Sequence, residues 1–517
     1  MAVIGSGITF LDGTVVNVAL PHIGRDLSTG TSALQWIVNA YTLALASLIL
    51  LGGSLGDRVG RRRVFVIGVI GFTGASLLCA LAPTAEFLIA ARVLQGVGGA
   101  LLTPGSLAII EASFRPADRA RAIGAWSGLT GVSTALGPLL GGYLVDAVSW
   151  RAIFVINVPL GAFVVLMALR HLPESRDPTV RGRLDLPGAV LVGLGLAGTT
   201  YALIQGPDSG ASAAILVTGI AGLACLGGFL LHERRVPNPM LPLGIFSSRQ
   251  FSAANGVTFV VYAALGGVFF MLVSFLQVSL GYSPIAAGAA SLPVTVLMLL
   301  LSPRAGALAQ RIGPRIPLTL GPLVIAAGML LMTRIAPGDS YVASVLPAVV
   351  VFGLGLTLVV APVTATVLAA ADDRHSGVAS GINNAVSRVA GLLAVAILPL
   401  IAGITGDRFF DPAKMTHGFH IAMAACAGVA VLGGAVAWFQ IDSDVLEARA
   451  TPGGDTPERV AVDYICSVSG APLRPGREAS CGPPVSAGAS SVSVSTSGTS
   501  GPASTGGGPS VSTGGSG

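Results

Sequence analysis

The chain has 517 residues, of which 52% are hydrophobic and 10% charged, against about 25% charged in a globular protein. So few charges cannot cover a soluble surface, and with a mean hydropathy of +0.79 a soluble enzyme, a disordered scaffold and a secreted disulfide module are all excluded. The net charge of +5 does not point to nucleic acid, because the basic residues, all arginine except Lys414, lie between apolar runs where they read as topology signals.

Apolar stretches long enough to cross about 30 Å of hydrocarbon fall near residues 2–21, 33–53, 64–82, 86–110, 122–145, 152–171, 186–205, 212–231, 252–280, 285–309, 316–334, 341–368, 377–403 and 419–440, fourteen in all. A cleavable signal peptide is not expected, since the first stretch lacks a basic leader and carries Asp12 and Asn17 before Pro21. It reads as the first span, and its abrupt beginning at Met1 suggests a true start further upstream. Loops after even-numbered spans hold eighteen arginines, including Arg58, Arg61, Arg62 and Arg63, whereas the opposite loops hold Arg25, Arg151, Arg334, Arg408 and Lys414. That bias predicts cytoplasmic termini. Residues 441–517 turn to Ser, Gly, Pro and Thr and are expected to form a disordered cytoplasmic tail. Of five cysteines, Cys79, Cys225 and Cys426 lie in apolar segments and Cys466 and Cys481 in the tail, so neither a disulfide framework nor a metal spacing follows.

The chain repeats itself. GSLGDRVGRR (Gly53–Arg62) after span two is echoed by GALAQRIGPR (Gly306–Arg315) after span ten, and Gly96, Gly98 and Pro104 of span four by Gly353, Gly355 and Pro362 of span twelve. The offsets differ by a few residues. Two related six-helix halves follow, 1–171 and 252–440, with spans seven and eight as an inserted pair within 172–251, giving a 6+2+6 all-α polytopic architecture of a transporter type.

Asp12 stands in the middle of span one, where a carboxylate costs at least a few kcal/mol. It reads as a protonatable group facing a water-filled cavity or a counter-ion to a cationic substrate, the plain alternative being a structural tie between helices. Arg92 of span four, with Gln95 after it, is its natural partner and would tune it. In the loop after span two, Gly53, Asp57, Arg58, Gly60, Arg61 and Arg62 combine turn-forming glycines with an acid and arginines, as a conformational latch would. Span five carries Gly137, Pro138, Gly141 and Gly142, which permit close helix approach and a bend. Asn17, Trp36, Tyr41, Gln95, Trp126 and Tyr262 are candidates to line a cavity. GLGLAG (Gly193–Gly198) lies inside an apolar span, not between a strand and a helix, and so is no dinucleotide loop. The sequence has no P-loop, zinc-ligand spacing or GxSxG elbow, so no enzyme, metal, cofactor or ATPase partner is expected.

These motifs resemble the major facilitator superfamily and, within it, the fourteen-span drug:proton antiporter family. LDGTVVNVALP (Leu11–Pro21) is similar to that family's first-span signature, WIVNAYTLALA (Trp36–Ala46) to its second span, GSLGDRVGRRR to the superfamily loop motif, ARVLQGVGGA to the fourth-span motif with its embedded arginine, and SWRAIFVINVPLG (Ser149–Gly161) to the entry into span six. TALGPLLGG (Thr134–Gly142) resembles the antiporter motif, with Ser133 where its leading glycine usually stands. The resemblance covers about residues 1–440. It implies proton-driven efflux of amphipathic small molecules across a plasma membrane by alternating access, through a cavity between spans one, two, four, five and nine. The arginine, alanine and glycine bias suggests a bacterial inner membrane. Some multidrug members carry extra acids in later spans; here spans ten and thirteen have none in their interiors, and Arg388 is the only charge in span thirteen, which argues against dicationic substrates. The rival readings are a dedicated exporter of one endogenous metabolite, a nutrient symporter, and a transporter-fold sensor using its tail.

Overall fold

In hydrocarbon every backbone amide and carbonyl must be satisfied within its own segment, and the described residues contain helices and no strands. The computed structural model describes residues 2–113, 116–176, 184–210, 212–371 and 376–446. In chain order the helices are α1 (Ala2–Asp26), α2 (Thr31–Val59), α3 (Arg61–Ala80), α4 (Ala85–Ser113), α5 (Pro116–Ala147), α6 (Ala152–His171), α7 (Leu186–Ser209), α8 (Ala213–Glu233), α9 (Arg249–Val278), α10 (Pro284–Ile312), α11 (Arg315–Met332), α12 (Tyr341–Ala369), α13 (Ser376–Ile401) and α14 (Pro412–Gln440). Among the described residues thirteen helices, all but α5, are long and apolar enough to cross a membrane. α5 has 32 residues, about 48 Å at 1.5 Å per residue.

Several helices run past the predicted spans, and two of the boundaries that differ bear on the packing. The first span is predicted to stop at Pro21, but α1 runs through it to Asp26. One missing amide is tolerated because the helix end is held from outside: Asp26 Oδ2 accepts from Trp150 Nε1 at 2.9 Å and Arg151 Nη1 at 2.7 Å. The tail, predicted from 441, begins later. Ile441 is 1% exposed and the Asp442 amide donates to Gln250 Oε1 at 3.1 Å, because this segment packs back against the start of α9. Residues 447–517 lie outside the described residues.

The repeat is visible in the packing. α2 and α3 pack on α4 as α10 and α11 pack on α12, and α1 pairs with α5 as α9 pairs with α13. Gly98 brings α4 so close to α3 that an added Cβ would stand 2.5 Å from the Phe72 amide nitrogen; Gly355 does the same to Ile325 at 2.5 Å. The echoed loops share a backbone conformation too, with Gly60 at φ 130° and Gly313 at φ 81°, values that L side chains adopt only under strain.

Contacts between the two sets gather toward the end opposite the arginine-rich loop after α2. There α2 meets α13 through Gln35, whose Nε2 donates to Val395 O at 2.7 Å, and α5 meets α10 at Gly142 and Gly288. Gln277 Nε2 of α9 donates to Val18 O of α1 at 2.9 Å, and Thr31 Oγ1 to Gly406 O at 2.7 Å. α7 leans on α2 and α13 and packs against α8. α8 is the least buried helix. Its Leu216, Val217, Ile220 and Leu223 are exposed, as side chains in contact with lipid would be.

Candidate functional site

Asp12 is fully buried halfway along α1, and four helices converge on it. Arg92 of α4 bonds Asp12 Oδ2 through Nη1, Gln95 Nε2 donates to Oδ1 at 2.8 Å, and Asn157 Nδ2 of α6 donates to the same oxygen at 3.0 Å. Every contact is a donor facing an acceptor, the pattern an ionised carboxylate requires. Ser76 of α3 accepts from Gln95 at 2.8 Å and from Asn157 at 2.9 Å, tying these two donors to each other, while the buried Asn157 Oδ1 has no partner.

Arg92 is held on all sides. Its Nε donates to Ile37 O at 3.0 Å, its Nη1 also donates to Gln95 Oε1 at 2.6 Å, and its guanidinium lies 4.3 Å over the Tyr41 ring and 5.9 Å from that of Phe154. Tyr41 in turn donates its hydroxyl to Thr9 O at 3.1 Å. Desolvating two charges is costly unless they are hydrogen-bonded, and α1, α2, α3, α4 and α6 together surround the pair, with bonds to both Asp12 oxygens and to Arg92 Nε and Nη1. The sequence identifies Asp12, Arg92 and Gln95 but not Ser76 or Asn157. Asn157 sits in the motif SWRAIFVINVPLG, the one signal for it; Ser76 has none.

The loop between α2 and α3 is also tied down. Arg61 Nε pairs with Asp57 Oδ1 at 2.8 Å, one turn apart. Glu174, after α6 and not singled out by the sequence, accepts from the Arg62 amide at 3.1 Å and pairs with Arg63 Nε at 3.6 Å, while Arg62 Nη2 donates to Leu169 O at 2.8 Å. A Cβ at Gly60 would stand 2.5 Å from Glu174 Oε1.

In α5 the four antiporter-motif positions are buried in two contacts. Gly137 and Gly141 face α1, an added Cβ at Gly141 standing 2.5 Å from Val15 Cγ2; Gly142 faces Pro284 and Ile285 of α10, and the Pro138 carbonyl abuts Gly288. Trp126 Nε1 donates to Ser6 Oγ of α1 at 3.1 Å.

The cavity candidates separate. Tyr41 and Gln95 are enclosed in the Asp12 network and present no free face. Trp36 stands apart from them: with Tyr201 and Cys225 it lines a groove between α2, α7 and α8, because its face of α2 turns toward the inserted pair. On α1, by contrast, Phe10, Gly13 and Asn17 share one face by their spacing of three and four. A Cβ at Gly13 would meet nothing within 4 Å, and the buried Asn17 Oδ1 has no partner. Arg388 of α13 stands across from this face, its guanidinium 4.9 Å over the Phe10 ring. Tyr262 of α9 is within its electrostatic reach. Of the predicted cavity lining, Asn17 thus lies on the face of α1 that carries Phe10, and Tyr262 lies on α9 within electrostatic reach of Arg388.

The family model described as Major Facilitator Superfamily matches residues 2–395. The chain is 36% identical to the puromycin resistance protein of Streptomyces alboniger over 87% of this chain and 92% of that one. It is 37% identical to the probable actinorhodin transporter of Streptomyces coelicolor over 77% and 71% of the two chains, and 36% identical to the multidrug resistance protein Stp of Mycobacterium tuberculosis over 76% and 73%. Among solved structures it is similar in fold to a bacterial homologue of the lysosomal transporter Spinster, inward-facing and unoccupied (TM-score 0.61, 17% identity, 86% of this chain and 96% of that one). It is likewise similar to a peptide transporter in complex with sulfate (TM-score 0.62, 15% identity, 87% and 93%). The chain belongs to the Major Facilitator Superfamily and is a multi-pass membrane transporter, not an enzyme.

Proposed function

We propose that this transporter exports amphipathic small molecules across a bacterial plasma membrane in exchange for protons, as a fourteen-span drug:proton antiporter with α5 as a spanning helix, a 6+2+6 arrangement and cytoplasmic termini. One observation carries the reading: a fully buried carboxylate at the middle of α1, Asp12, bonded by Arg92, Gln95 and Asn157. An intramembrane acid marks a proton or ion pathway by default. Protonating Asp12 removes its charge, loosens its hold on Arg92 and frees α4 and α6 to move relative to α1. The proton gradient supplies the energy. The two halves, 1–171 and 252–440, rock about the central face of α1, and with the arginine-rich loops on the cytoplasmic side the contacts gathered at the far end correspond to an inward-facing state. Asp57, Arg58, Arg61 and Arg62 brace the loop that must rearrange, and Gly137 to Gly142 let α5 change its contacts with α1 and α10.

The test is proton release and substrate uptake in energised inverted vesicles, wild type against Asp12→Asn, over a panel of lipophilic dyes and antibiotics. Substrate-induced proton release that is lost in the variant is the expected result. Uptake unchanged in Asp12→Asn would overturn the coupling. The names of the relatives, a probable actinorhodin transporter among them, favour a second reading in which one endogenous product is the substrate; flux for a single compound in the panel would select it.

A further inference from the structure

Arg388 is a cation without an anion. It lies twelve residues into α13 and thirteen from its other end, so about 18 Å of helix separates it from the nearer terminus. Unlike Arg92, which is paired with Asp12 and bonded to Gln95 and Ile37, Arg388 has no acidic partner among the described residues and lies over the face of Phe10 at 4.9 Å. Asp12 is bonded to Arg92, Gln95 and Asn157 and makes no ion pair with Arg388. The middle of the bundle therefore holds two guanidinium groups and one carboxylate. A cation–π contact offsets only part of the cost of holding an arginine within a membrane.

Its surroundings are also polar and unfilled. The Tyr262 hydroxyl, within reach of the Arg388 field, makes no hydrogen bond with the described residues. The Asn17 Oδ1 is buried without a partner two turns along α1 from Phe10, and the space beside Gly13 between them is open. A forked donor of α13 thus stands over an aromatic plate on the face of α1 that also carries an unpartnered amide oxygen, with a phenol of α9 within its electrostatic reach.

We propose that Arg388 and Tyr262 bind an acidic or phenolate group of an aromatic amphiphile whose ring stacks on Phe10, so that the substrates of this transporter are anionic rather than cationic. The guanidinium offers two parallel N–H donors to a carboxylate or a charged oxygen to a phenolate, and the substrate restores charge balance at the middle of the bundle. The substrate class rests on the export reading above, but the binding site does not.

The experiment is equilibrium binding to the purified full chain in nanodiscs at neutral pH with two xanthene dyes of similar shape and opposite charge, fluorescein (anion) and rhodamine 123 (cation). Wild type should bind fluorescein more tightly. Arg388→Gln should weaken fluorescein about tenfold or more and leave rhodamine 123 unchanged or tighter, Arg388→Lys should retain much of the fluorescein affinity, and Tyr262→Phe should weaken fluorescein less than Arg388→Gln. Tighter binding of rhodamine 123 by wild type, or an equal loss of both dyes in Arg388→Gln, would overturn the proposal. If Arg388→Gln does not fold, the lysine and Tyr262→Phe variants decide it, and a Tyr262→Phe that weakens both dyes alike would count against it. Charge-selective binding without proton-coupled flux would refute the transport reading and leave this site standing; coupled flux of both dyes without charge selectivity would do the reverse.

Discussion

Gly142→Ala should open the seam between α5 and α10. A Cβ at Gly142 would stand 2.5 Å from the Pro284 carbonyl oxygen and 2.6 Å from Ile285 Cα, where ordinary contact begins near 3.4 Å. Both obstacles are backbone and cannot rotate away, so α10 must retreat by about 1 Å, and overpacking of this kind costs about 1–3 kcal/mol. The cost falls on the state in which the seam is closed. The closed-to-open ratio should therefore fall by about 5- to 150-fold. Spin labels at Val148 and Ile285, in a background without the native cysteines, report the separation by double electron–electron resonance. Wild type should show one short distance and Gly142→Ala an added longer population. The control is Gly74→Ala, whose Cβ would meet nothing within 4 Å and which should match wild type. A distance distribution in Gly142→Ala identical to wild type would refute the argument that this glycine holds the seam.

Other perturbations follow from the same geometry. Arg92→Gln strands Asp12 without its cation and should cost about 3–5 kcal/mol; the double variant Asp12→Asn/Arg92→Gln should recover part of that in thermal unfolding, and equal midpoints for single and double would count against the pairing. Gly60→Ala places a side chain at φ 130° against Glu174 and should destabilise by about 1–3 kcal/mol; adding Glu174→Ala should relieve the clash but not the backbone strain, which a two-variant cycle resolves. Asp185 caps α7 by accepting from the Gly188 amide at 2.9 Å, with His232 Nε2 2.8 Å away. Burial opposes its ionisation, but those two partners outweigh it and hold its carboxyl below the usual carboxylate range. Its contribution is therefore full above the unfolded value of about 3.9 and lost as pH falls through the lower folded value. Asp185→Ala should lower stability by about 1 kcal/mol at neutral pH, and the gap from wild type should close in acid; a gap independent of pH would contradict the sign.

Much of this molecule is legible in the sequence because lipid imposes one solution. An apolar run of twenty residues has to become a helix, and a charge within it is conspicuous, so Asp12, Arg92 and the repeated loop stand out before any packing is known. Ser76 and Asn157 do not stand out, since neutral hydrogen-bonding residues occur throughout such helices and only convergence in space gives them a role. The same limit explains Trp36. An aromatic residue on a helix can face lipid, a neighbour or a cavity, and the side of α2 that carries Trp36 is decided by where the inserted α7 and α8 come to rest. Glu174 lies thirteen residues beyond Gly161, where the nearest motif ends, and its partnership with the distant loop depends on how α6 packs beside α3.

The repeat also shows where the two halves have parted. The offset that pairs Gly96 with Gly353 places Val349 where Arg92 stands and Phe352 where Gln95 stands, and both are fully buried apolar residues. The second half keeps the helix packing of the first but not its ion network, so the chemistry at Asp12 belongs to α1, α2, α3, α4 and α6. What faces it from the other half is the unpaired Arg388. Proton and substrate would then act on opposite halves of the bundle, the proton on the network behind α1 and an anionic substrate on α13 and α9 in front of it. α1 carries Asp12 on one side and Phe10, Gly13 and Asn17 on another, and so it is the element through which the two events are linked.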